Sequence, residues 1–179
     1  MSKVVKIVQK VGASTLTFYQ KDGINHGSMT VSQNGVTELE CYYNNGVLNG
    51  KYVQYYPSSR VMNLFNYLNG QKNGTFTMWY ESGVKQMEGS YLNDEYHGKI
   101  NTYDEFGDVI KIEQYVNGRL HGQVVSFYPV KMAETSKTRR VMEIAFYDNG
   151  LLHGNKISFM PSGKIMSTIP YAHGRPLRY

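Results

Sequence analysis

Hydrophobic and polar residues alternate along this chain in short runs that are separated by glycine-containing turn signals. The stretch 50–56 is one such run and 61–67 is the next. Alternation with a period of two, together with many aromatic and β-branched residues, predicts β-strands. Only the stretch 129–140 is long enough for a helix without a glycine or proline break. The pattern therefore predicts an all-β protein built from antiparallel hairpins.

The turn signals recur every 24 residues, which indicates a repeat array. Glycines and tyrosines that share this step are Gly50, Gly74, Gly98 and Gly122, with Tyr43, Tyr67, Tyr91 and Tyr115. Each Asn-Gly pair predicts a type I′ turn, and we expect the second glycine of a unit to form a turn as well. Asp94 replaces one first glycine and is expected to keep the left-handed backbone. The step from Tyr115 to Tyr147 is 32 residues, eight more than the repeat.

These units resemble the MORN-repeat variant family, whose unit is Tyr-x-Asn-Gly-x3-Gly, an aromatic strand, a Pro-Ser-Gly or Glu-Ser-Gly turn and a second strand. The turns at 81–83 and 161–163 match this form, and the turn at 57–59 is degenerate. The resemblance covers residues 22–175. It implies an elongated single-layer antiparallel β-meander of about six MORN-like hairpin repeats. It also implies an interaction or scaffold module. Some bacterial members are described as antitoxin-like, and the repeats are numerous in large DNA viruses of amoebae.

Domain organisation follows from the repeat. We expect one repeat domain over 1–179, with an N-terminal cap strand region at 1–18 and a C-terminal tail at 171–179. The repeats occupy 19–170 and carry a basic insertion at 129–140.

Composition agrees with a folded repeat array. Hydrophobic residues make up 41% of the chain and charged residues 18%, and no apolar run is long enough to span a membrane. The first residues lack the apolar core of a signal peptide, so we expect an intracellular, cytoplasmic or virion location rather than secretion by that route. Cys41 is the single cysteine and cannot form an internal disulfide. Its strand-like surroundings predict a small apolar filler.

Catalytic and metal-binding patterns are not found in the sequence. All five histidines stand directly before a glycine, which argues for turn positions, and histidines on successive repeats should stand too far apart to share a zinc ion. Asp94, Glu95, Asp104, Glu105 and Asp108 fall in predicted turns, where solvated charge is normal. No nucleophile elbow, phosphate-binding glycine loop or Cys-x-x-Cys pair occurs. We expect no enzymatic activity and no cofactor.

Sixteen tyrosines are the strongest compositional feature. One aromatic row occupies the same place in the first strand of successive units: Tyr55, Trp79, Tyr103, Phe127 and Phe159. A second row, from Tyr43 to Tyr171, holds the place before the turn. These aromatic rows have two interpretations, an aromatic spine that replaces a missing second layer, or a face that binds a partner. Both can hold, because a single sheet has two faces.

The insertion 129–140 is the second candidate site. Lys131, Lys137, Arg139 and Arg140 against Glu134 give it a net charge of +3, out of +5 for the chain. A solvated loop is one interpretation. A contact arm for an acidic protein surface, a lipid headgroup or nucleic acid is the other. The small charge left on the repeats makes a continuous nucleic-acid track unfavourable.

We therefore expect a structural or adaptor protein that makes protein–protein contacts in a larger assembly, with a minor component of a virus particle as one such assembly. An antitoxin-like inhibitor of a toxin protein and a peripheral lipid-binding module are the alternatives. The outer strands of an open meander also carry backbone groups that invite pairing, so self-association through the sheet ends is expected. At the C-terminal end, Pro170 and Pro176 oppose simple strand addition.

Overall fold

The computed structural model describes residues 3–129 and 139–177. Within these ranges the chain forms nineteen β-strands and no helix, so none that could cross a membrane. The pairing registers are all antiparallel. The predicted all-β antiparallel hairpin meander is thereby confirmed. The strands divide into two compact units, Met1–Val84 with Tyr91–Asp94, and Lys85–Ser90 with Glu95–Tyr179.

The first unit contains β1 to β8. Their bounds are β1 Val4–Val11, β2 Ser14–Lys21, β3 Ile24–Gln33, β4 Val36–Asn44, β5 Val47–Tyr55, β6 Val61–Leu68, β7 Gln71–Lys72 and β8 Gly74–Trp79. From β1 to β6 each strand pairs with the next one along the chain. β6 then pairs with both β7 and β8, which follow one another along it. The N-terminal segment, which lacks the repeat motif, thus continues the same meander.

The second unit repeats this arrangement. Its strands are β9 Lys85–Leu92, β10 Glu95–Tyr96, β11 Gly98–Tyr103, β12 Val109–Val116, β13 Arg119–Leu120, β14 Gly122–Phe127, β15 Val141–Asp148, β16 Leu151–Leu152, β17 Gly154–Phe159, β18 Ile165–Ala172 and β19 Arg175–Pro176. The last two residues of β9 belong to the first unit. β12 and β15 each pair with a two-residue strand and with the six-residue strand that follows it, and β18 pairs with the two-residue β19.

The Asn-Gly pairs form the predicted type I′ turns. At Asn69 and Gly70 the φ angles are 50° and 85°, both in the left-handed region that this turn requires. Asp94 keeps a φ of 68° in the turn that lacks the glycine, as expected. Its N–H donates to the carbonyl of Lys72 at 2.9 Å, and its Oδ1 accepts from the N–H of Lys72 at 2.8 Å. The carboxylate therefore adds a hydrogen bond that glycine could not make.

The second glycine of each unit does not form a turn, so that prediction was wrong. Gly50 lies within β5 at a φ of 99°, and the chain keeps its direction there. The register moves from Cys41 opposite Tyr52 to Tyr43 opposite Leu48, so β5 holds more residues than β4 over this step. This is a β-bulge whose glycine has positive φ, the region that the turn glycines also adopt. The same sequence signal therefore serves two backbone features.

The insertion lies at a hairpin tip, the loop that joins the first strand of a unit to the second. In a regular tip, the N–H of Tyr56 donates to the carbonyl of Arg60 at 2.8 Å. At the insertion, the N–H of Tyr128 donates to the carbonyl of Arg140 at 2.9 Å. The hydrogen bond that closes a regular tip is thus kept on either side of the insertion. Lys131 and Lys137, two predicted contact residues, lie outside the described residues.

A row of buried and half-buried residues crosses the strands of each unit. In the first unit, successive register partners are Phe18, Met29, Cys41, Tyr52 and Phe65. In the second unit, Ile100 is opposite Glu113, and Val124 is opposite Ala145. Directly opposed residues lie on the same side of a sheet, so each row occupies one face. In each unit we call this face the row face and the other one the outer face.

Cys41 is a buried member of the first row, with 6% of its surface exposed. Burial raises the pKa of its thiol above the ordinary value. Both observations agree with the predicted role as a small apolar filler.

Candidate functional site

A groove of about 480 Å³ lies beside the insertion in the second unit. Its lining residues are Arg139, Arg140, Val141, Phe159, Pro161, Ser162 and Gly163. The groove therefore joins the end of the insertion to the tip of the next hairpin. Two guanidinium groups and one aromatic ring contribute to it, and none of these lining residues is acidic. Such a lining favours a ligand that carries negative charge beside an apolar group.

Tyr128 holds Phe159, one of the residues that line this groove. Its hydroxyl donates to the backbone carbonyl of Phe159 at 2.7 Å and thereby joins two neighbouring hairpins. Tyr56 holds the same place in the first unit and donates to the carbonyl of Trp79 at the same distance. A tyrosine that follows the first-strand aromatic residue thus acts as a cross-brace. The groove is therefore built on ordered strands rather than on the insertion alone.

The outer face of the second unit is apolar next to the groove. Ile112 is opposite Val125, Val125 is opposite Ile144, and Ile144 is opposite Ile157. All four side chains are half-buried. Phe127 and Phe159 lie two positions beyond Val125 and Ile157, next to a register shift in each pairing. We assign them to the same face, because the equivalent Tyr103 reaches Glu88, which is the register partner of Asn101. We call these six residues the apolar strip.

The outer face is polar at two other repeats, those of Tyr55 and Tyr103. The hydroxyl of Tyr55 donates to Oε2 of Glu40 at 2.9 Å. In the second unit, Glu88 accepts from the hydroxyl of Tyr103 and from Asn101 Nδ2, and lies 2.8 Å from Lys85 Nζ. These donors, Lys85 first, lower the pKa of Glu88 to about 2. First-strand tyrosines are therefore held by carboxylates and present no bare apolar ring.

Most of the ring contacts in the first unit lie on its row face. Phe65 stacks on Phe76 at 6.2 Å, and Tyr91 lies 4.9 Å from Phe76 between ring centroids. Lys72 Nζ lies 4.7 Å from the ring centre of Phe65 and 5.1 Å from that of Tyr91. Tyr52 joins the cluster through Phe65. This cluster provides the aromatic spine that the sequence suggested, but it is built largely from residues other than the first-strand row.

The row face of the second unit carries one buried charge. Glu113 has 8% of its surface exposed. It forms an ion pair with Lys111, with 2.7 Å between Lys111 Nζ and Glu113 Oε1. The hydroxyl of Tyr115 also donates to it at 3.4 Å. Burial, followed by the Glu113 carboxylate, raises the pKa of Tyr115 to about 12. The carboxylate is therefore compensated, and it has the features of a structural ion pair rather than a catalytic acid.

The histidines lie along the bulge and turn edge. His97 and His121 are at bulges and donate backbone N–H groups to Ser90 and Gln114 of the adjacent strand. His153 and His173 are closer than expected for successive repeats, with 5.5 Å between ring centroids, because a bulge residue reaches the turn of the next repeat. Within the described ranges, no group of three or more potential ligands is placed to hold a metal ion.

Five of the nine predicted contact residues are distributed along the first-strand row, and the structure brings Phe159 together with Arg139 and Arg140. Phe127 lies on the apolar strip with Phe159. Tyr55 and Tyr103 are engaged by glutamates, and Trp79 accepts the Tyr56 cross-brace through its carbonyl. Sequence reasoning missed Ile112, Val125, Ile144 and Ile157. Two repeated offsets could have revealed them, because Val125 and Ile157 lie three residues after a repeat glycine and Ile112 and Ile144 lie six residues before one.

Comparison with known protein families gives a match over the length of one repeat. The model of the MORN repeat variant matches residues 72–93, from Lys72 in β7 to the turn residue Asn93 that follows β9. No curated protein matches the chain. MORN repeats generally make protein or membrane contacts, and the family is generally non-catalytic. The match covers one unit, and units with the same turn signals recur along the meander, so the matched segment is consistent with MORN-type repeats.

Proposed function

We propose that this chain is a non-enzymatic protein-interaction module that binds an acidic segment of a partner protein. The contact site is the groove between Arg139, Phe159 and the tip 161–163, extended by the apolar strip. The observation that carries the proposal is the placement of a guanidinium group and an aromatic ring in one concavity without a carboxylate in its lining.

The geometry favours a segment with an apolar anchor next to one or more carboxylates. A phenylalanine or leucine side chain would lie on the ring of Phe159 and the adjoining strip. Aspartate or glutamate beside it would pair with Arg139, which is exposed at the rim of the groove. Charge at the rim mainly increases the association rate, whereas the apolar anchor gives affinity.

A protein partner fits these features better than a membrane or nucleic acid. Electrostatic attachment to an anionic membrane uses clusters of about four to eight basic residues. The groove carries two, the insertion as a whole carries four, at the lower end of this range, and the net charge of the chain is only +5. Its concave, partly aromatic lining also suits an inserted side chain more than a flat headgroup layer.

Selection of a random peptide library on the immobilised chain tests this proposal. We expect the retained peptides to combine Phe, Leu or Trp with neighbouring Asp or Glu. The selected peptide should bind the Arg139→Glu variant at least tenfold more weakly, because like charges then meet at the rim. Lys51→Glu is the matched control, since Lys51 is exposed in the first unit and the variant has the same net charge. Peptides without acidic residues, or equal binding by both variants, would refute the proposal. Binding to anionic vesicles that survives Arg139→Glu would favour a lipid surface instead.

A further inference from the structure

The outermost strand of the first unit has the features of a pairing edge. β1 shows a pairing register with β2 alone among the described residues, and seven of its eight residues are exposed. Val5 and Val8 are each about half exposed, at 51% and 52%, and Val11 reaches 77%. An exposed edge of β-branched residues is a template for another strand.

Part of the usual protection against pairing is missing on β1. It carries Lys6 and Lys10, but it contains no proline and no bulge, and its register with β2 runs unbroken from Val4 to Val11. The last strands of the second unit differ, because Pro170 lies within β18 and Pro176 within β19. Proline cannot donate to a ladder, so such an edge is a poor partner for strand addition. Pairing of β1 in one copy with β18 or β19 of another copy is therefore disfavoured. Pairing of β1 with β1 of a second copy is the remaining arrangement.

We propose that two copies of this chain pair through β1 in an antiparallel, two-fold symmetric ladder centred on Ile7. A two-fold axis perpendicular to the sheet keeps the same face of both copies on one side, so residues opposite each other share a face. Only registers that pair odd positions with odd and even with even satisfy this condition.

The lysines of β1 select one such register. Centring the ladder on Ile7 places Lys6 opposite Val8 of the second copy, and Val4 opposite Lys10. Centring it on Val8 instead places Lys6 opposite Lys10 twice, and like charges directly opposite each other are destabilising. The Ile7-centred ladder is thus the register that pairs nearly all of β1 without opposing two lysines.

Charge substitution at Val8 gives a matched test. Val8→Lys would bring two lysines opposite each other on both sides of the axis, whereas Val8→Glu would create two opposite-charge pairs with Lys6. Both variants replace the same half-exposed valine, so we expect them to affect folding of the hairpin equally. Sedimentation of the full chain in the micromolar range should show a dimer for the wild type and for Val8→Glu, and a monomer for Val8→Lys.

Disulfide trapping tests the register. Ile7→Cys places two thiols opposite each other at the axis and should give a covalent dimer on oxidation. Val5→Cys is the control, because its counterpart is Gln9 of the second copy and the two thiols are far apart. Cys41 is buried and should not compete. A wild-type monomer throughout the concentration range, equal behaviour of the two Val8 variants, or equal trapping by the two cysteines would overturn the proposal.

Discussion

The hydroxyl of Tyr55 donates a 2.9 Å hydrogen bond to Glu40, which precedes it by 15 residues. Tyr103 and Glu88 repeat this relationship at the same separation of 15. Where the aromatic residue lacks a hydroxyl, the position 15 residues before it is aliphatic. These pairs are Leu64 with Trp79, Ile112 with Phe127 and Ile144 with Phe159.

The two positions therefore vary together within one chain. A phenolic hydroxyl on the outer face is matched by a carboxylate acceptor, and a hydrocarbon ring is matched by an aliphatic side chain. This matching follows from the cost of leaving a partly buried polar group without a partner. It also explains why the aliphatic residues of the apolar strip accompany Phe127 and Phe159.

Tyr103→Phe tests the coupling in the polar pair. Removing the hydroxyl takes one donor from Glu88, so the unfolding free energy should fall by about 0.5–1.5 kcal/mol in urea denaturation. Glu88→Ile alone should destabilise the chain as well, because the tyrosine hydroxyl loses its acceptor. The double variant reproduces the Ile112–Phe127 combination and should recover most of the loss. Additive effects of the two changes would contradict the coupling.

The low pKa of Glu88 predicts an acid-dependent contribution to stability. The carboxylate has a pKa of about 2 in the folded chain against an ordinary 4.5. Its stabilising effect is therefore fully present above 4.5 and is lost as pH falls through the folded value. The difference in unfolding free energy between wild type and Glu88→Gln should be constant at neutral pH and shrink between pH 4.5 and 2. A difference that does not change over this window, or an NMR titration of Glu88 near 4.5, would show that the network does not hold the ionised form.

Two turn glycines with the same backbone angle separate strain from crowding. Gly46 and Gly35 both have a φ of 82° after an asparagine. A Cβ at Gly46 would lie 3.0 Å from Ile24 Cγ2, whereas one at Gly35 would meet nothing within 4 Å. Gly35→Ala should cost about 1–2 kcal/mol from the left-handed backbone alone. Gly46→Ala should cost more, and the excess should disappear when Ile24 is also replaced by Ala. Thermal denaturation of Gly35→Ala, Gly46→Ala, Ile24→Ala and the variant that combines Gly46→Ala with Ile24→Ala gives the comparison.

Asp94 provides a test of the motif itself. Replacement by Ala should destabilise the chain most, because it keeps the left-handed strain and loses the acceptor for the Lys72 N–H. Asp94→Asn retains both a suitable backbone preference and an acceptor oxygen, so it should be nearly neutral. Asp94→Gly removes the strain but also the hydrogen bond, and should lie between the two. A different order of melting temperatures would refute this assignment.

Much of the fold could be predicted because turns are local. The positive φ at Asn69 and Gly70 follows from two adjacent residues, and repetition of that pair fixes the hairpin lengths. The bulge at Gly50 was missed because its sequence signal, a glycine with positive φ, is the same as that of a turn. Only the pairing register of β4 with β5 distinguishes the two.

The site was harder to predict than the fold. The row face of Phe65 and Phe76 and the outer face of Ile112 and Val125 have the same alternating pattern in sequence. Which residues share a face depends on the bulges, since each bulge changes the register by at least one position. Burial of Glu113 was not foreseen either. The two residues that compensate its charge, Lys111 and Tyr115, lie two positions before and two positions after it on the same strand.

Hydrogen–deuterium exchange of the chain with and without a selected acidic peptide is the most direct test of the central claim. The account predicts slower exchange on binding at 139–141 and 159–163, the two segments that line the groove, and no change at Phe65 to Phe76 on the row face of the first unit. Protection of that aromatic cluster, with none at the groove, would contradict the claim that this protein binds its partner between the insertion and the adjacent hairpin tip.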